Sequence, residues 1–204
     1  MTMTDDELKA ELDRLEPFEG RVPFLYLDNA DHPNVTCGVG YLIASVDDAA
    51  RLPWHHMLDG LPATRDEIVA DFLRVQGMRG GLRADAYKGS LRLAPADIDA
   101  EGFRRLRVML KGLPFVFPDF DGFPDGVQQS LLDLAWNCGL AAPRGLGGWP
   151  HLKAACNAVP PDWKGAAAQC RTENPSNNPL REHRNDWRSQ MFLDAAVATP
   201  GPTS

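Results

Sequence analysis

The residues that favour a β-strand are confined to one short stretch of this chain, and the apolar residues elsewhere recur at helical spacing. Residues 21–28 bring Val22, Phe24, Leu25, Tyr26 and Leu27 together, the turn-forming run Asn29-Ala30-Asp31-His32-Pro33-Asn34 follows, and Val35-Thr36-Cys37 is a second extended piece. That order predicts a hairpin, because Asn, Asp and Pro suit the turn while β-branched and aromatic residues suit a pleated surface. Gly38 and Gly40 flank Val39 and allow a sharp bend before the apolar Tyr41-Leu42-Ile43. A helix and a small sheet first, then a run of helices, is an α+β arrangement with the antiparallel sheet confined to an N-terminal lobe and a helical C-terminal lobe.

The helical segments carry their own start and stop signals. Thr4-Asp5-Asp6-Glu7 has the form of a capping box, and Leu8, Leu12 and Leu15 follow on one face of a helix expected to end near Pro17. Thr64-Arg65-Asp66-Glu67 is a second capping box, ahead of Ile68, Phe72 and Val75, in a helix expected to fade at residues 77–81. An irregular stretch should reach about Arg92, after which Pro95 opens a helix that continues through Ile98, Phe103, Leu106 and Leu110. Residues 114–124 read as a Pro, Phe, Asp and Gly loop, and Val127, Leu131, Leu134 and Ala135 mark a strongly apolar helix of the kind that centres a lobe. Short helices follow at 149–158 and 162–172, and a last one at 180–195. The division expected is therefore 1–92 for the N-terminal lobe, 93–196 for the C-terminal lobe and 197–204 for a Pro and Gly tail.

Charge and cysteine usage narrow the function classes. A formal charge of −7 over 204 residues argues against a nucleic-acid partner, because phosphate binding needs clustered Lys and Arg. No stretch approaches about 18 uncharged apolar residues, so membrane insertion is not expected. Residues 1–7 are polar and acidic where a signal peptide would be basic and then apolar, which predicts synthesis in the cytoplasm without such a signal. Cys37, Cys138, Cys156 and Cys170 lack C-x-x-C spacing, and the adjacent His55 and His56 point to different sides of any regular element, so no metal site is expected. Buried thiols are favoured for the four cysteines, with a Cys156–Cys170 bridge as the alternative.

Chemistry concentrates at the hairpin. Glu19 lies where the first helix meets the first strand, Asp28 ends that strand, and Thr36 lies across the turn. Glycoside hydrolysis needs an acid to protonate the departing oxygen and a second polar group to hold water at the other face of the sugar, which Glu19, Asp28 and Thr36 would supply. The same residues are also routine at a helix end and before a turn.

The run Glu19-Gly20-Arg21, the strand reaching Asp28, and Thr36-Cys37-Gly38-Val39-Gly40 together resemble the signature of the phage-type lysozymes, glycoside hydrolase family 24. Thr64-Arg65-Asp66-Glu67 looks like the start of that family's interlobe helix, residues 124–139 look like its central C-lobe helix, and Leu180-Arg181-Glu182-His183-Arg184 looks like its closing Arg-rich helix. The resemblance implies a two-lobed lysozyme fold with the cleft between lobes, no metal or organic cofactor, and hydrolysis of the bond between N-acetylmuramic acid and N-acetylglucosamine in the glycan strands of peptidoglycan. It implies Glu19 as general acid, Asp28 as second carboxylate and Thr36 as the residue that helps place water. The acid must carry its proton when sugar arrives, so Glu19 is expected to be partly desolvated and Asp28 more hydrated. Seven residues separate Asp28 from Thr36, a longer spacing than the family's usual one, which leaves Asp31 as a competitor to Asp28. Tyr41 stands where a His often follows the Gly-x-Gly and is taken as substrate-binding.

Gln128 and Asn137 are substrate-binding candidates for acetamido groups, with helix capping as the alternative. Arg181 and Arg184 share a helical face and resemble family arginines that approach the catalytic Glu, with a solvated basic face as the alternative. The five tryptophans suit stacking on sugars or, for most of them, core packing. The protein expected is a monomeric muramidase acting on the cell wall in the periplasm or outside the producing cell. Two routes of delivery fit: a phage endolysin, or an effector carried into a rival cell by a contractile secretion machine and matched by a dedicated inhibitor protein. The alternative is a peptidoglycan-binding or structural module that keeps the fold without turnover.

Overall fold

The computed structural model describes residues 3–28, 33–174 and 177–198. Among these residues the protein is α+β, with two small antiparallel sheets, all of whose strands precede Leu93, and eight α-helices. Asp5–Arg104 forms one compact unit, and the chain from Arg105 onward, with the few residues before Asp5, forms a second.

In the first unit, α1 (Asp5–Glu19) opens with Asp5, Asp6 and Glu7, whose charges oppose the positive end of the helix dipole. Leu8, Leu12 and Leu15 are fully buried, each stabilising the fold by about 1.5–3 kcal/mol. The helix does not stop near Pro17 as expected but runs two residues further, to Glu19. A proline in the last turn forfeits one terminal hydrogen bond and kinks little that follows it. The stop comes instead at Gly20, whose N–H bonds the Glu16 carbonyl at 2.7 Å with φ at +74°.

β1 (Val22–Leu27), β2 (Val35–Gly38) and β3 (Tyr41–Leu42) form a three-stranded antiparallel sheet in that order, so the hairpin is as read. Tyr26 pairs with Thr36 and Leu27 with Val35, but Val22 pairs with Gly38, so residues 23–25 of β1 face only Cys37 of β2. Pro23 sits in that bulge, where its missing N–H costs the ladder nothing, and its carbonyl instead accepts from Leu93 N–H at 2.7 Å. Residues 29–32, the centre of the expected turn, and 199–204 of the expected tail lie outside the described residues.

Three elements of this unit carry no visible period in the sequence: α2 (Val46–Ala50), capped by Ser45, and the two-residue strands β4 (His55–His56) and β5 (Leu91–Arg92), which pair with each other. Between them, α3 (Arg65–Gln76) has both halves of its capping box, with Thr64 accepting from Glu67 N–H and Glu67 accepting from Thr64 N–H. Its Ile68, Phe72 and Val75 are buried, as the spacing predicted.

Helix α4 (Pro95–Val116) starts in the first unit and ends in the second. It passes over Pro114, so the loop expected from 114 begins only at Phe117; Pro114, like Pro17, occupies a final turn. The second unit continues with α5 (Asp125–Cys138), α6 (Pro150–Cys156), α7 (Trp163–Gln169) and α8 (Pro179–Ala198). Val127, Leu131, Leu134 and Ala135 of α5 are fully buried. Trp163 of α7 meets Phe123 edge-on, with ring centroids 5.0 Å apart, and Phe192 of α8 at 6.2 Å. Among the described residues, no helix is long and apolar enough to cross a membrane.

Candidate active site

Glu19, Asp28 and Thr36 all belong to the first unit, and the hairpin explains how they are held. Glu19 is the last residue of α1, and its carboxyl group lies against the β2–β3 turn at Gly40. A Cβ at Gly40 would sit 2.8 Å from Glu19 Oε2 and 3.3 Å from its Cδ, and Gly40 has φ at +69°. Only glycine gives both this conformation and this approach, so the turn forms a wall for the carboxyl group.

Asp28 follows β1 and is half-buried. Its Oδ1 accepts from the backbone N–H of Asn34 at 2.9 Å and its Oδ2 from Asn34 Nδ2 at 3.1 Å, while its own N–H donates to the Asn34 carbonyl at 3.0 Å. Thr36 is 4 % exposed, and its hydroxyl donates to the same Asn34 carbonyl at 3.2 Å. Asn34 thus ties Asp28 and Thr36 together. Sequence reading took it only for a turn residue, although an Asn next to a strand is a standard way to bond a nearby backbone group.

Tyr26 is the other residue that reading missed. It pairs with Thr36 across the strands, and its phenol is pushed up to about 12, first by burial and then by the negative charges of Glu19, Cys37 and Asp28. The phenol therefore stays neutral through the ordinary pH range, within electrostatic reach of both carboxylates.

The structure moves Tyr41 out of the substrate-binding set. It is fully buried, and its hydroxyl donates to the Ile98 carbonyl at 2.7 Å, so it anchors β3 to α4 within the first unit. An aromatic side chain with one polar atom goes inside when that atom finds a partner, and nothing local to the Gly-x-Gly turn reveals Ile98.

The remaining candidates lie in the second unit. Gln128 is buried, and its side-chain amide donates to the Phe123 carbonyl at 2.8 Å, which braces the chain entering α5; it is a structural residue here rather than a sugar contact. Arg184 is also corrected. It is 5 % exposed, and its Nε lies 3.0 Å from Oδ2 of the fully buried Asp133. Arg188, which the sequence did not single out, is buried completely on the same carboxylate. Burial draws the Arg188 guanidinium down despite the Asp133 charge. A carboxylate taken that far from water needs such partners to remain charged, and Asp133 finds them one turn apart on α8. Asn137 and Arg181 are exposed, and Arg181 donates to the Glu173 carbonyl at 3.1 Å.

The four cysteines are free thiols, including Cys156 and Cys170. Burial pushes Cys138 and Cys170 up to about 11 and Cys156 up to about 12, so these three stay protonated and make poor nucleophiles. Among the described residues no group of three or more His, Cys, Asp or Glu is placed to hold a metal ion. His55 and His56 do point apart, His55 to Asp97 at 3.6 Å and His56 to Glu67 at 3.3 Å. No model of a known protein family matches this chain, and no curated protein matches it.

Proposed function

We propose that this protein is a peptidoglycan N-acetylmuramidase of the phage-type lysozyme kind, with Glu19 as general acid and Asp28 and Thr36 as the pair that places and activates water. One observation carries the reading. The hairpin holds Asp28 and Thr36 on a single residue, Asn34, while the turn at its other end lies against the Glu19 carboxyl group at Gly40. The second glycine of the Gly-x-Gly thus has a physical reason in the close approach of the Glu19 carboxyl group.

In the reaction, Glu19 gives its proton to the glycosidic oxygen as the bond to the anomeric carbon breaks, and water adds to that carbon. Asp28, oriented by two amide donors of Asn34, accepts the water proton. With a net charge of −7 the protein is not drawn to an anionic wall from a distance, so recognition rests on short-range sugar contacts. Wall hydrolysis places the action in the periplasm or outside the producing cell, as an endolysin or a delivered effector.

The test is clearing of purified peptidoglycan by wild type and by Glu19→Gln, with folding checked by circular dichroism and fragments identified by mass spectrometry. We expect muropeptides with reducing muramic acid ends from wild type and a rate lower by about 10²–10⁴-fold from the folded variant. Absence of fragments from folded wild type on several peptidoglycan types would sink the enzyme reading.

A further inference from the structure

The charges of this acidic chain are unevenly spread. Residues 1–104 hold eleven Lys and Arg against nineteen Asp and Glu, whereas residues 105–204, which make up nearly all of the second unit, hold ten against nine. The basic excess is sharpest along α4, where residues 102–118 contain Arg104, Arg105, Arg107 and Lys111 and no acidic residue. Arg104 is balanced on the spot, since its Nε and Nη2 each donate to a Glu101 carboxylate oxygen at 2.7 Å. Leu106, Leu110 and Leu113 are buried, so Arg107, Val108, Lys111 and Phe115, three or four residues apart along the helix, share its outward face.

Two apolar side chains at the end of that face stand almost wholly in water. Phe115 is 91 % exposed, and Val159, in the connection from α6 to α7, is 93 % exposed. Asn157 Nδ2 donates to the Val116 carbonyl at 3.2 Å, which ties the connection to the end of α4 and brings the two side chains to one end of the unit, where Pro118 and Pro160 are exposed as well. A lone surface Leu needs no explanation, but a phenylalanine and a valine exposed together beside a basic helix face point to a partner. The shape selects which. A protein partner needs a continuous patch of about 800 Å² with its charges at the rim, whereas here single apolar tips share one face with cations. A bilayer needs no matching relief: apolar tips enter its acyl boundary while Lys and Arg stay level with the head groups. The cations select the lipid, because they are attracted only to a negatively charged surface.

We propose that the outward face of α4 bearing Arg107, Lys111 and Phe115, together with the Val159 tip, docks the second unit on the surface of an anionic phospholipid bilayer. The contact is peripheral, with only side chains entering the acyl boundary. With a net charge of −7 on the whole chain, the attraction acts over about one Debye length, ~8 Å at physiological ionic strength, so it orients a molecule already near the membrane. The residues assigned to hydrolysis belong to the first unit, and this inference does not rest on the muramidase reading.

Flotation of the 204-residue protein with vesicles tests it, using phosphatidylglycerol mixed with phosphatidylcholine, and phosphatidylcholine alone. We expect wild type to bind the mixed vesicles, and to bind roughly tenfold or more weakly when phosphatidylglycerol is left out or when NaCl rises from about 0.05 M to about 0.5 M. Lys111→Glu and Phe115→Ala, at exposed positions that do not threaten folding, should each lose roughly fivefold or more. Leu58→Ala, at a fully exposed position of the first unit, should lose nothing. Phe115→Trp should be quenched by bromine-labelled acyl chains more strongly than wild type, which reports entry of this tip rather than attraction of the whole protein. Failure of folded wild type to bind the mixed vesicles, equal binding to phosphatidylcholine alone, or unchanged binding by both Lys111→Glu and Phe115→Ala overturns the proposal. A dimer in sedimentation velocity that Phe115→Ala dissolves would assign the face to a second copy of the chain and overturn it too. No turnover is measured, so a failed muramidase test leaves this result intact.

Discussion

Asp28 in the first unit and Asp133 in the second are the same side chain held in opposite ways. Asp28 is half-buried at the end of a strand and takes two neutral N–H donors from one residue, Asn34. Asp133 is wholly buried in mid-helix and takes two guanidinium groups, from Arg184 and Arg188. Neutral donors orient a carboxylate without neutralising it, and partial exposure lets solvent or substrate reach it. Two cations in a dry interior lock the group and hide it. The first environment suits chemistry and the second suits architecture, and burial with partner type, rather than residue type, separates them.

That contrast is open to direct tests. The largest effect belongs to the reactive side: Glu19→Gln is expected to cost about 10²–10⁴-fold in turnover while its urea midpoint stays close to wild type. A midpoint that fell along with the rate would mean that Glu19 serves structure, as Asp133 does. On the structural side, Asp133→Asn removes the charge that two buried guanidiniums share and should cost about 3–5 kcal/mol in urea unfolding. If Asp133→Asn unfolded no more easily than wild type, the buried network would not be a stabilising lock.

Alkaline pH probes Tyr26, which feels the charges of Glu19 and Asp28. A phenol raised from 10.0 to about 12 keeps its proton longer folded than unfolded, so its contribution is complete below pH 10 and disappears as pH rises through about 12. Over that window Tyr26 should cost about 2–3 kcal/mol of stability, and Tyr26→Phe should lose less than wild type between the same limits. Equal losses in the two proteins, measured by chemical denaturation at each pH, would show that the Tyr26 phenol is not held neutral by its burial and the charges beside it. The smallest expected change in stability, about 1–2 kcal/mol, belongs to Gly40→Ala, whose methyl group would need the left-handed conformation. Because that methyl would also crowd Glu19 Oε2, activity should fall further than stability predicts; a variant that lost stability alone would show that the turn does not position the acid.

Much of the site was legible because it is local. The hairpin, the bend at Gly38 and Gly40 and the placement of Glu19 at a helix end follow from residues within a few positions of one another. Asn34 escaped notice because its role depends on which atoms the paired strands bring opposite, not on its type. Tyr41, taken from its place after the Gly-x-Gly as substrate-binding, has its polar partner, the Ile98 carbonyl, 57 residues away. Arg184 looked like a solvated or substrate-facing cation for the same reason, with Asp133 at a separation of 51 residues.

What the amino-acid order determined by itself is the set of elements whose signals are short-range: the capping box at Thr64 and Glu67, the leucine face of α1, the apolar face of α5, and the α+β order of one small sheet followed by helices. Each needs only its own turn or period to be favourable. Tertiary structure decided the rest. It paired the two-residue strands β4 and β5, too short to show any period, carried α1 and α4 past Pro17 and Pro114 where packing outweighs one lost terminal bond, and chose which charged and aromatic groups would face water. Those choices turn on partners that meet only when distant segments pack, because a buried polar group is acceptable only where a complementary one already lies.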